Sequence, residues 1–592
     1  MAFLYVVTLV VAACSLAYEL VLAQTLTALL GDTVLRYSIT IGVYLGALGA
    51  GALWCGRRLE APDTTPLERR LVRVELGLAA LGGSAVPAFF SLDFVQRYIY
   101  FRPGVGEGSD WVPMTFLACT HLWIVAIGVL SGFEVPLLLR MGEARGEGTT
   151  PRLLGVDYLG SLVASVAFPL LLLPELGLLG TGFAVAGLNA VAALTMSVRW
   201  SRSVRPIHFV LGGALVAVCA GAMAQADRLE MAFLRTYYAD TYDQGLRSAL
   251  GASVELDHHR SRHASIALLT EADPEQHYTD LLYPVREPKD LWLYIDGDFQ
   301  FFSGIEATYH EWFVHVPVQQ LGRPPRRALV LGGGDGMAVR ELLAYDDLER
   351  VVHVEIDPVM LSLARTDPRL SKLNDPAFVD PRHEVVRADA FSWLRHDDAR
   401  FDLVLIDMPV PRDHNLSAVY SREFYMEVRR HLRPGGVVAL DAPDGSCRWE
   451  DGDWPIYSAT LRAAGFEQVI SYTSWVVAAP FVERIADAGE VELAIAGEEP
   501  LAGDEALGVW ETLLDEAAAT IPDNEFIFAR VEPEPLVKGW VDMPSVEPRA
   551  LLPGLMAVTF DQGCARHDDP DLVNSVFRPT LPEPQLLSVR RR

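Results

Sequence analysis

Seven apolar runs in the first 225 residues constrain the fold of this 592-residue chain more than any other feature. A helix that spans a bilayer needs about 20 mostly apolar residues. The runs cover residues 3–29, 37–55, 72–92, 113–138, 157–174, 178–198 and 206–225. The first run is too long, and too poor in preceding charge, for a cleaved signal peptide. Residues 1–225 are therefore predicted to form a multi-span helical region of about seven helices.

The arginines between these runs predict an orientation. Most of them follow the second, fourth and sixth runs, and the positive-inside rule places those loops in the cytoplasm. Seven spans then put residues 226–592 outside the cytoplasm, and one span more or one span fewer would put them inside. The sequence predicts a multi-pass cell-membrane protein and leaves open the side of the remaining chain.

Three carboxylates lie within or at the edge of the runs, namely Glu19, Glu134 and Asp157. Carboxylates inside a membrane are costly and usually face the interior of the helix bundle. Two interpretations stay open: a polar site for a cationic amine or a proton, and a buried structural hydrogen bond.

The net charge of −28 excludes one class of partner. The first 225 residues carry 14 arginines and 14 acidic residues, so the whole excess of acid lies in residues 226–592. Nucleic-acid binding needs basic patches, and we therefore expect no nucleic-acid partner. The six cysteines show neither a C-x-x-C pair nor a zinc spacing, and we expect no metal site.

A glycine-rich turn predicts a nucleoside-binding α/β domain. Residues 328–331 read as a buried strand, and the glycines at 332, 334 and 336 precede a helix. This spacing suits a methyltransferase-type site, and no Gly-Lys-Ser/Thr follows that would make it a phosphate-binding loop. Glu355 ends the next strand about 20 residues later, a position that suits a carboxylate on a ribose hydroxyl pair.

Further acids end the following strands. Asp335, Glu355, Asp389 and Asp407 all follow predicted strands. The carboxyl ends of parallel strands meet at the ligand-binding edge of an open α/β sheet, so we expect one acidic rim. The alternative for each acid alone is a helix cap.

The chain is thus predicted to have four parts. A transmembrane region (1–225) precedes a small β-rich subdomain (226–320) with a hairpin around Asp296-Gly297. A Rossmann-like, methyltransferase-type domain (321–480) and an acidic C-terminal extension (481–592) follow.

Several stretches resemble the spermidine synthases, or polyamine aminopropyltransferases, over about residues 255–480. The similar stretches are Tyr309-His-Glu311, Gly332-Gly-Gly-Asp-Gly336, Val354-Glu-Ile-Asp357, Asp380-Pro-Arg382, Asp389-Ala-Phe391 and Tyr420-Ser-Arg-Glu-Phe-Tyr425. Asp157-Tyr-Leu-Gly160 is similar to the branch of the family with a fused multi-span region.

The resemblance implies an activity and its partners. The family moves an aminopropyl group from decarboxylated S-adenosylmethionine to a di- or polyamine, by default putrescine, and releases 5′-methylthioadenosine. It needs no permanently bound cofactor and no metal. Its implied partners are polyamine and nucleoside substrates, a lipid bilayer for this branch, and a second copy in a homodimer.

Residue roles follow from the same resemblance. Asp407 would be the catalytic proton acceptor. The residues on the donor side would be Gly332, Gly334, Glu355, Asp389 and Ala390. The residues that bind or line the path of the amine would be Tyr309, His310, Asp335 and Tyr420.

Three positions depart from the family pattern. A second acid after Asp407 is replaced by Val410, an upstream Tyr-Gln reads His263-Ala264, and an Asp-Glu pair reads Ile305-Glu306. Two alternatives therefore stay open: another transferase or lyase that uses an S-adenosylmethionine-type donor, and a catalytically silent polyamine or nucleoside sensor or transporter.

Overall fold

The computed structural model describes most of the 592 residues. The exceptions are 32, 61–64, 101–108, 110, 145, 147–148, 239–249, 251–253, 272–290, 304–305, 410–415, 443–451, 477–523, 538–555, 561–565, 568, 571 and 577–592. Contacts group the described residues into two units, one within Met1–Ala252 and one within Ser253–Glu583.

The first unit is helical throughout its described elements. Its helices are α1 (Ala2–Leu30), α2 (Thr33–Glu60), α3 (Leu67–Tyr100), α4 (Trp111–Ser131), α5 (Glu134–Glu143), α6 (Thr149–Ala167), α7 (Leu173–Arg199), α8 (Pro206–Met223) and α9 (Ala226–Tyr238). A π-helical turn, Phe168–Leu172, joins α6 to α7. Helix α9 lies within residues 226–320, for which the sequence predicts a β-rich subdomain.

Six stretches in the described residues are long and apolar enough to cross a bilayer, against seven predicted runs. The fifth stretch, Thr149–Arg199, has 51 residues and contains two of the runs. At about 1.5 Å per residue it would extend far beyond a hydrocarbon core of about 30 Å. Gly177 interrupts the helix there, with φ of 65° and ψ of −175°.

The chain reverses direction at this interruption. Gly160 of α6 lies against Leu9, because a Cβ at Gly160 would be 2.3 Å from the Leu9 carbonyl oxygen. Phe168 shares an apolar cluster with Val21, farther along α1. After the interruption the chain returns toward the start of α1, since the Val185 carbonyl lies 3.9 Å from Cys14 Sγ. The number of membrane crossings stays a prediction.

The second unit begins with a small antiparallel sheet. Its four strands follow chain order: β1 (Val254–Arg260), β2 (Ser265–Glu271), β3 (Leu291–Ile295) and β4 (Asp298–Phe302). Asp296 and Gly297 make the tight turn of the β3–β4 hairpin with φ of 52° and 85°, as the Asp-Gly pair predicted. One face of this sheet packs on Met337 and Met360 of the following domain.

A mixed eight-stranded sheet forms the rest of the second unit. Its strands are β5 (Arg327–Gly332), β6 (Arg350–Glu355), β7 (His383–Arg387), β8 (Phe401–Asp407), β9 (Leu432–Asp441), β10 (Gln468–Val476), β11 (Asn524–Arg530) and β12 (Met556–Phe560). They are arranged in the order β12-β10-β11-β9-β8-β5-β6-β7. Neighbours from β9 to β7 are parallel, and β11 runs antiparallel to both β9 and β10.

Helices accompany the strands of this sheet. They are α10 (Glu306–Leu321), α11 (Met337–Leu343), α12 (Pro358–Thr366), α13 (Pro368–Leu373), α14 (Ala390–His396), α15 (Arg422–Arg430) and α16 (Trp454–Ala463). The prediction of a helical membrane-type region, a small β subdomain and a Rossmann-like, methyltransferase-type domain is confirmed as a fold class.

The central strand β5 is buried on both faces. Leu329 and Leu331 enter one apolar cluster, and Ala328 and Val330 enter another. Side chains alternate across a strand, so a continuous apolar run is what a sheet covered on both sides requires.

Two strands come from the predicted C-terminal extension, which sequence reasoning did not place in the sheet. Asn524–Arg530 lies between β9 and β10, and Met556–Phe560 forms the edge beside β10. The α/β sheet therefore takes strands from beyond the predicted boundary at residue 480.

Candidate active site

The glycine turn after β5 lies directly against Asp407. Strands β5 and β8 pair so that Gly332 is opposite Asp407, and the Gly333 amide donates to the Asp407 carbonyl at 2.8 Å. A Cβ at Gly333 would lie 2.7 Å from Asp407 Oδ2, and φ at Gly333 is 64°. Glycine is therefore required here by the close approach and by the left-handed backbone.

Glu355 reaches the same turn from the end of β6. A Cβ at Gly334 would lie 3.0 Å from Glu355 Oε2, and Glu355 Oε1 accepts from the Asp357 amide at 2.6 Å. The pKa of Glu355 is raised to about 7, chiefly by burial; the nearby Asp357 and Asp335 also raise it, and the backbone donors lower it. The carboxylate is held by backbone and points at the glycine turn.

Asp335 lies in the middle of these groups. Its Oδ1 accepts from the amide of Met337, the first residue of α11, at 2.8 Å. It is within electrostatic range of Glu355, Asp407 and His310. The predicted acidic rim is thus brought together at these residues.

Asp407 has one engaged and one unpaired carboxylate oxygen. The Tyr309 hydroxyl donates to Oδ1 at 3.2 Å, and Oδ2 is buried without a partner among the described residues. The pKa of Asp407 is raised to about 6, chiefly by burial and also by Asp335, whereas His310 and the Tyr309 hydrogen bond lower it. Asp407 is therefore largely ionised at neutral pH, with a free oxygen that can accept a proton.

His310 is a buried cation beside the rim. Its side chain is 3% exposed, and Nδ1 lies 3.1 Å from Glu306 Oε2. Burial alone would lower its pKa, but Glu306, Asp335 and Asp407 raise it to about 9. Its ring packs edge-on against Tyr309, so the positive charge is held behind the tyrosine that contacts Asp407.

Arg340 holds Glu306, the hydrogen-bond partner of His310, in place. Its guanidinium donates to both oxygens of Glu306, at 2.8 and 3.0 Å, and to Glu341 Oε1 at 2.7 Å. Glu341 in turn contacts His315 Nε2 at 3.0 Å. The buried side chains form one network, in which the pKa of Glu306 falls to about 2 because the hydrogen bonds from His310 and Arg340 outweigh burial.

The remaining predicted site residues lie at strand ends or in loops. The Tyr420 hydroxyl donates to the Met408 carbonyl at 2.9 Å and so ties down the segment after Asp407. Asp389 is exposed and caps α14 through the Ser392 amide at 2.7 Å. Ala390 is buried beside it. The assigned roles of these residues stay predictions.

Of the three departures, the one at Val410 lies outside the described residues, and the one at Ile305-Glu306 lies partly outside them. Val410 and Ile305 are not described, whereas Glu306 and Ala264 are. Ala264 packs against the core of the small sheet. The neighbouring Ser261 hydroxyl donates to Asp357 Oδ2 at 2.6 Å, a contact across the two sheets that the sequence did not indicate.

Comparison with known proteins shows the family of this chain. The spermine/spermidine synthase domain matches residues 306–477. Polyamine aminopropyltransferase 2 of Ralstonia nicotianae is 35% identical over 493 residues, which cover 81% of this chain and 87% of that relative. The chain belongs to the polyamine aminopropyltransferase family. It is an aminopropyltransferase, a transferase of polyamine and spermidine biosynthesis, and the predicted recognition is confirmed.

Other similar proteins carry the same name or fold description. The polyamine aminopropyltransferase of Leptospira interrogans is 30% identical over 505 residues, or 84% of this chain and 88% of that relative. A solved spermidine synthase in complex with the transition state analogue AdoDATO is 20% identical, and the alignment covers 47% of this chain and 74% of that chain with a TM-score of 0.32.

Sequence reasoning missed one acid of this aminopropyltransferase. Asp441 ends β9 opposite Phe526 of β11, and it is within electrostatic range of Tyr309 and Tyr420. The strand-end rule that identified Asp407 applies equally to β9, and the predicted strand stopped one residue short of Asp441.

Proposed function

We propose that this aminopropyltransferase moves an aminopropyl group from decarboxylated S-adenosylmethionine to a primary amine of a diamine, with putrescine as the default acceptor. The helical unit would anchor it in the cell membrane. The observation that carries the proposal is the unpaired, buried Oδ2 of Asp407 beside the glycine turn.

The donor would lie along the glycine turn. The glycine turn would offer its backbone to the nucleoside, and Glu355, which approaches Gly334, would accept from the ribose hydroxyls. Asp389 and Ala390 would border the adenine. The acids of the rim favour a donor that carries a positive sulfonium, because they make the local potential negative.

The acceptor amine would approach Asp407 between Asp335 and Tyr309. Its nitrogen attacks the carbon next to the sulfonium, and an N–C bond forms as the C–S bond breaks. The electron pair of the broken bond stays on sulfur, which becomes the neutral thioether of 5′-methylthioadenosine. The proton that the nitrogen loses passes to Asp407 Oδ2, so that atoms and charge balance.

The Tyr309 and His310 contacts support the base role of Asp407. Both groups stabilise the ionised carboxylate, and burial keeps its pKa near 6. A general base works best with a pKa close to the working pH, and it contributes about 10²–10⁴-fold to a rate.

The proposal is tested with detergent-purified full-length protein. Decarboxylated S-adenosylmethionine and a panel of diamines and polyamines are supplied, and mass spectrometry follows methylthioadenosine and the aminopropylated product. We expect both products with a diamine. Methylthioadenosine without an aminopropylated amine would refute an amine acceptor and favour another nucleophile or a lyase.

The role of Asp407 is tested by Asp407→Asn, with Asp347→Asn at an exposed position as the matched control. The Asp407 variant should lose at least about 100-fold in kcat and retain donor binding, whereas the control should keep the wild-type rate. Full activity in Asp407→Asn would refute the base assignment.

Anchoring has a separate support and a separate test. Six apolar stretches of sufficient length lie in the described part of residues 1–223. The protein should stay with the membrane fraction after alkaline carbonate washing, and release by that wash would refute anchoring. The homodimer implied by the resemblance stays a prediction.

A further inference from the structure

Polar side chains occupy the interior of the helical unit. Tyr18 of α1, Glu75 of α3 and Glu134 of α5 have exposures of 1%, 0% and 3%. Glu75 and Glu134 are close enough to interact electrostatically with each other and with Cys14. Tyr18 is close enough to interact with Cys14 and Glu75. An acidic group at such a position in a membrane bundle is costly and marks a functional site by default.

Several atoms of this interior have no hydrogen-bond partner among the described residues. They are both carboxylate oxygens of Glu75, one oxygen of Glu134, the Tyr18 hydroxyl and both amide atoms of Asn189. Asn189 is fully buried one helical turn beyond Val185, whose carbonyl lies 3.9 Å from Cys14 Sγ. We call Tyr18, Glu75 and Glu134 the buried carboxylate cluster.

The unpaired atoms define the chemistry of a ligand. Buried polar groups without partners are costly, so a bound group that supplies partners is favoured. The unpaired carboxyl oxygens of Glu75 and Glu134 become strong acceptors when these groups are ionised, and a bound cation favours that ionisation. A ligand that donates hydrogen bonds and carries positive charge is therefore favoured over an anion.

A metal ion does not fit this set. Within the described part of the chain, no three His, Cys, Asp or Glu side chains lie close enough together to hold one. Neither carboxyl oxygen of Glu75 has a hydrogen-bond partner there. A primary ammonium supplies one positive charge and three N–H donors, and it matches carboxylates that are spread apart.

Polar groups continue along the interior from the cluster. The Tyr44 hydroxyl lies 2.9 Å from Ser131 Oγ and 3.1 Å from Ser15 Oγ. It is within electrostatic range of Glu134 and Glu19, and Glu134 is within range of Asp157. A second ammonium, joined to the first by methylene groups, would also meet carboxylates, and the methylenes would meet apolar helix walls.

We propose that the buried carboxylate cluster binds an ammonium group of a di- or polyamine, as a second amine site within the helical unit. The site uses none of the residues of the catalytic rim. The helical unit is then a substrate-binding part of the protein as well as an anchor.

Equilibrium dialysis of labelled putrescine against the detergent-purified full-length chain, without donor, tests the proposal. The wild-type chain should bind one more putrescine than Glu75→Gln, while both transfer the aminopropyl group at the same rate. The matched control is Glu143→Gln, an exposed glutamate of the same unit, which should bind as the wild type does. Equal binding by Glu75→Gln and wild type would overturn the proposal.

Tyr18→Phe is a second test variant for the case that Glu75→Gln misfolds. It removes one hydroxyl group and keeps the ring. Because Tyr18→Phe loses a hydrogen bond to a charged ligand, the extra putrescine should bind more weakly than it binds the wild type, by about tenfold or more. Unchanged affinity in Tyr18→Phe would count against the site. A chain that binds the extra putrescine but transfers nothing would refute only the proposed activity.

Chemical labelling distinguishes an amine from protons alone. An apolar carbodiimide reacts with protonated carboxyl groups inside membranes, and peptide mass spectrometry locates the adduct. Putrescine should protect Glu75 from labelling over the concentration range of the dialysis. Labelling of Glu75 that putrescine does not reduce would overturn the amine proposal and assign these carboxyl groups to protons.

Discussion

Tyr309→Phe tests the electrostatic account of Asp407 most directly. The change removes the hydroxyl that donates to Asp407 Oδ1 at 3.2 Å and keeps the ring that packs on His310 and Phe313. This hydrogen bond favours the ionised carboxylate, so its loss should raise the pKa of Asp407 from about 6.

The size of the shift follows from the geometry. A hydrogen bond to a charged group contributes about 1.5–3 kcal/mol, and a length of 3.2 Å favours the lower end. Since one pKa unit corresponds to about 1.4 kcal/mol, the pKa should rise by about one unit. The ionised fraction at pH 6 then falls from about one half to about one tenth.

The assay is the pH dependence of kcat/KM for aminopropyl transfer, whose acid limb reports the base of the free enzyme. The acid limb of Tyr309→Phe should move toward pH 7. At pH 6, kcat/KM as a fraction of each enzyme's own plateau should then be about fivefold lower in Tyr309→Phe than in the wild type. Tyr425→Phe is the matched control, because its buried hydroxyl has no partner among the described residues. An acid limb that stays in place in Tyr309→Phe would refute the reasoning.

Three further changes probe the same site. Gly333→Ala places a Cβ 2.7 Å from Asp407 Oδ2 at a φ of 64°. The value of kcat should therefore fall by at least about tenfold, and the free energy of unfolding by about 1–2 kcal/mol. Wild-type values in steady-state kinetics would contradict this. Arg340→Met leaves Glu306 buried without its guanidinium and should cost about 3–5 kcal/mol, measured by denaturation of the solubilised chain; an unchanged midpoint would show that the network does not stabilise the fold. The raised pKa of His310, about 9, contributes about 3 kcal/mol of stability, which is fully present below pH 6.5 and is lost as pH rises through 9. The thermal midpoint of His310→Gln should therefore vary less over that pH range than the midpoint of the wild type. Parallel curves of midpoint against pH would refute the assignment.

The acidic rim could be located from the sequence because its parts follow recognisable strands. Glu355 and Asp407 come directly after buried apolar runs, and the parallel arrangement brings strand ends to one edge. The glycines between them marked a close approach that the structure places at Asp407 and Glu355. Local pattern and strand direction were sufficient there.

Other features depend on pairings that no local pattern encodes. Arg340 was visible in the sequence as part of a helix, but its two hydrogen bonds to Glu306 join residues 34 positions apart. Strand β11 comes from a stretch that reads as an acidic extension, and only its register with β9 makes it central. Such long-range choices are decided by packing of the whole sheet.

The interior of the helical unit shows an intermediate case. Glu134 stood out in the sequence because it is acidic in an apolar run, whereas Glu75 at the start of the third run did not. The structure brings Glu75 and Glu134 within electrostatic range and leaves oxygens of both unpaired. Helix packing reveals which charged residues at the ends of runs turn inward.

The position of β11 sets an order of assembly during synthesis. Strand β10 leaves the ribosome before β11, yet among the described strands it pairs only with β11 and β12. Strand β9 therefore keeps an open edge until Asn524–Arg530 has been made, and open edges invite pairing with other chains. The helices that end by Tyr238 emerge long before this, so under the proposed anchoring the growing chain would be held at a membrane while its catalytic sheet is still incomplete.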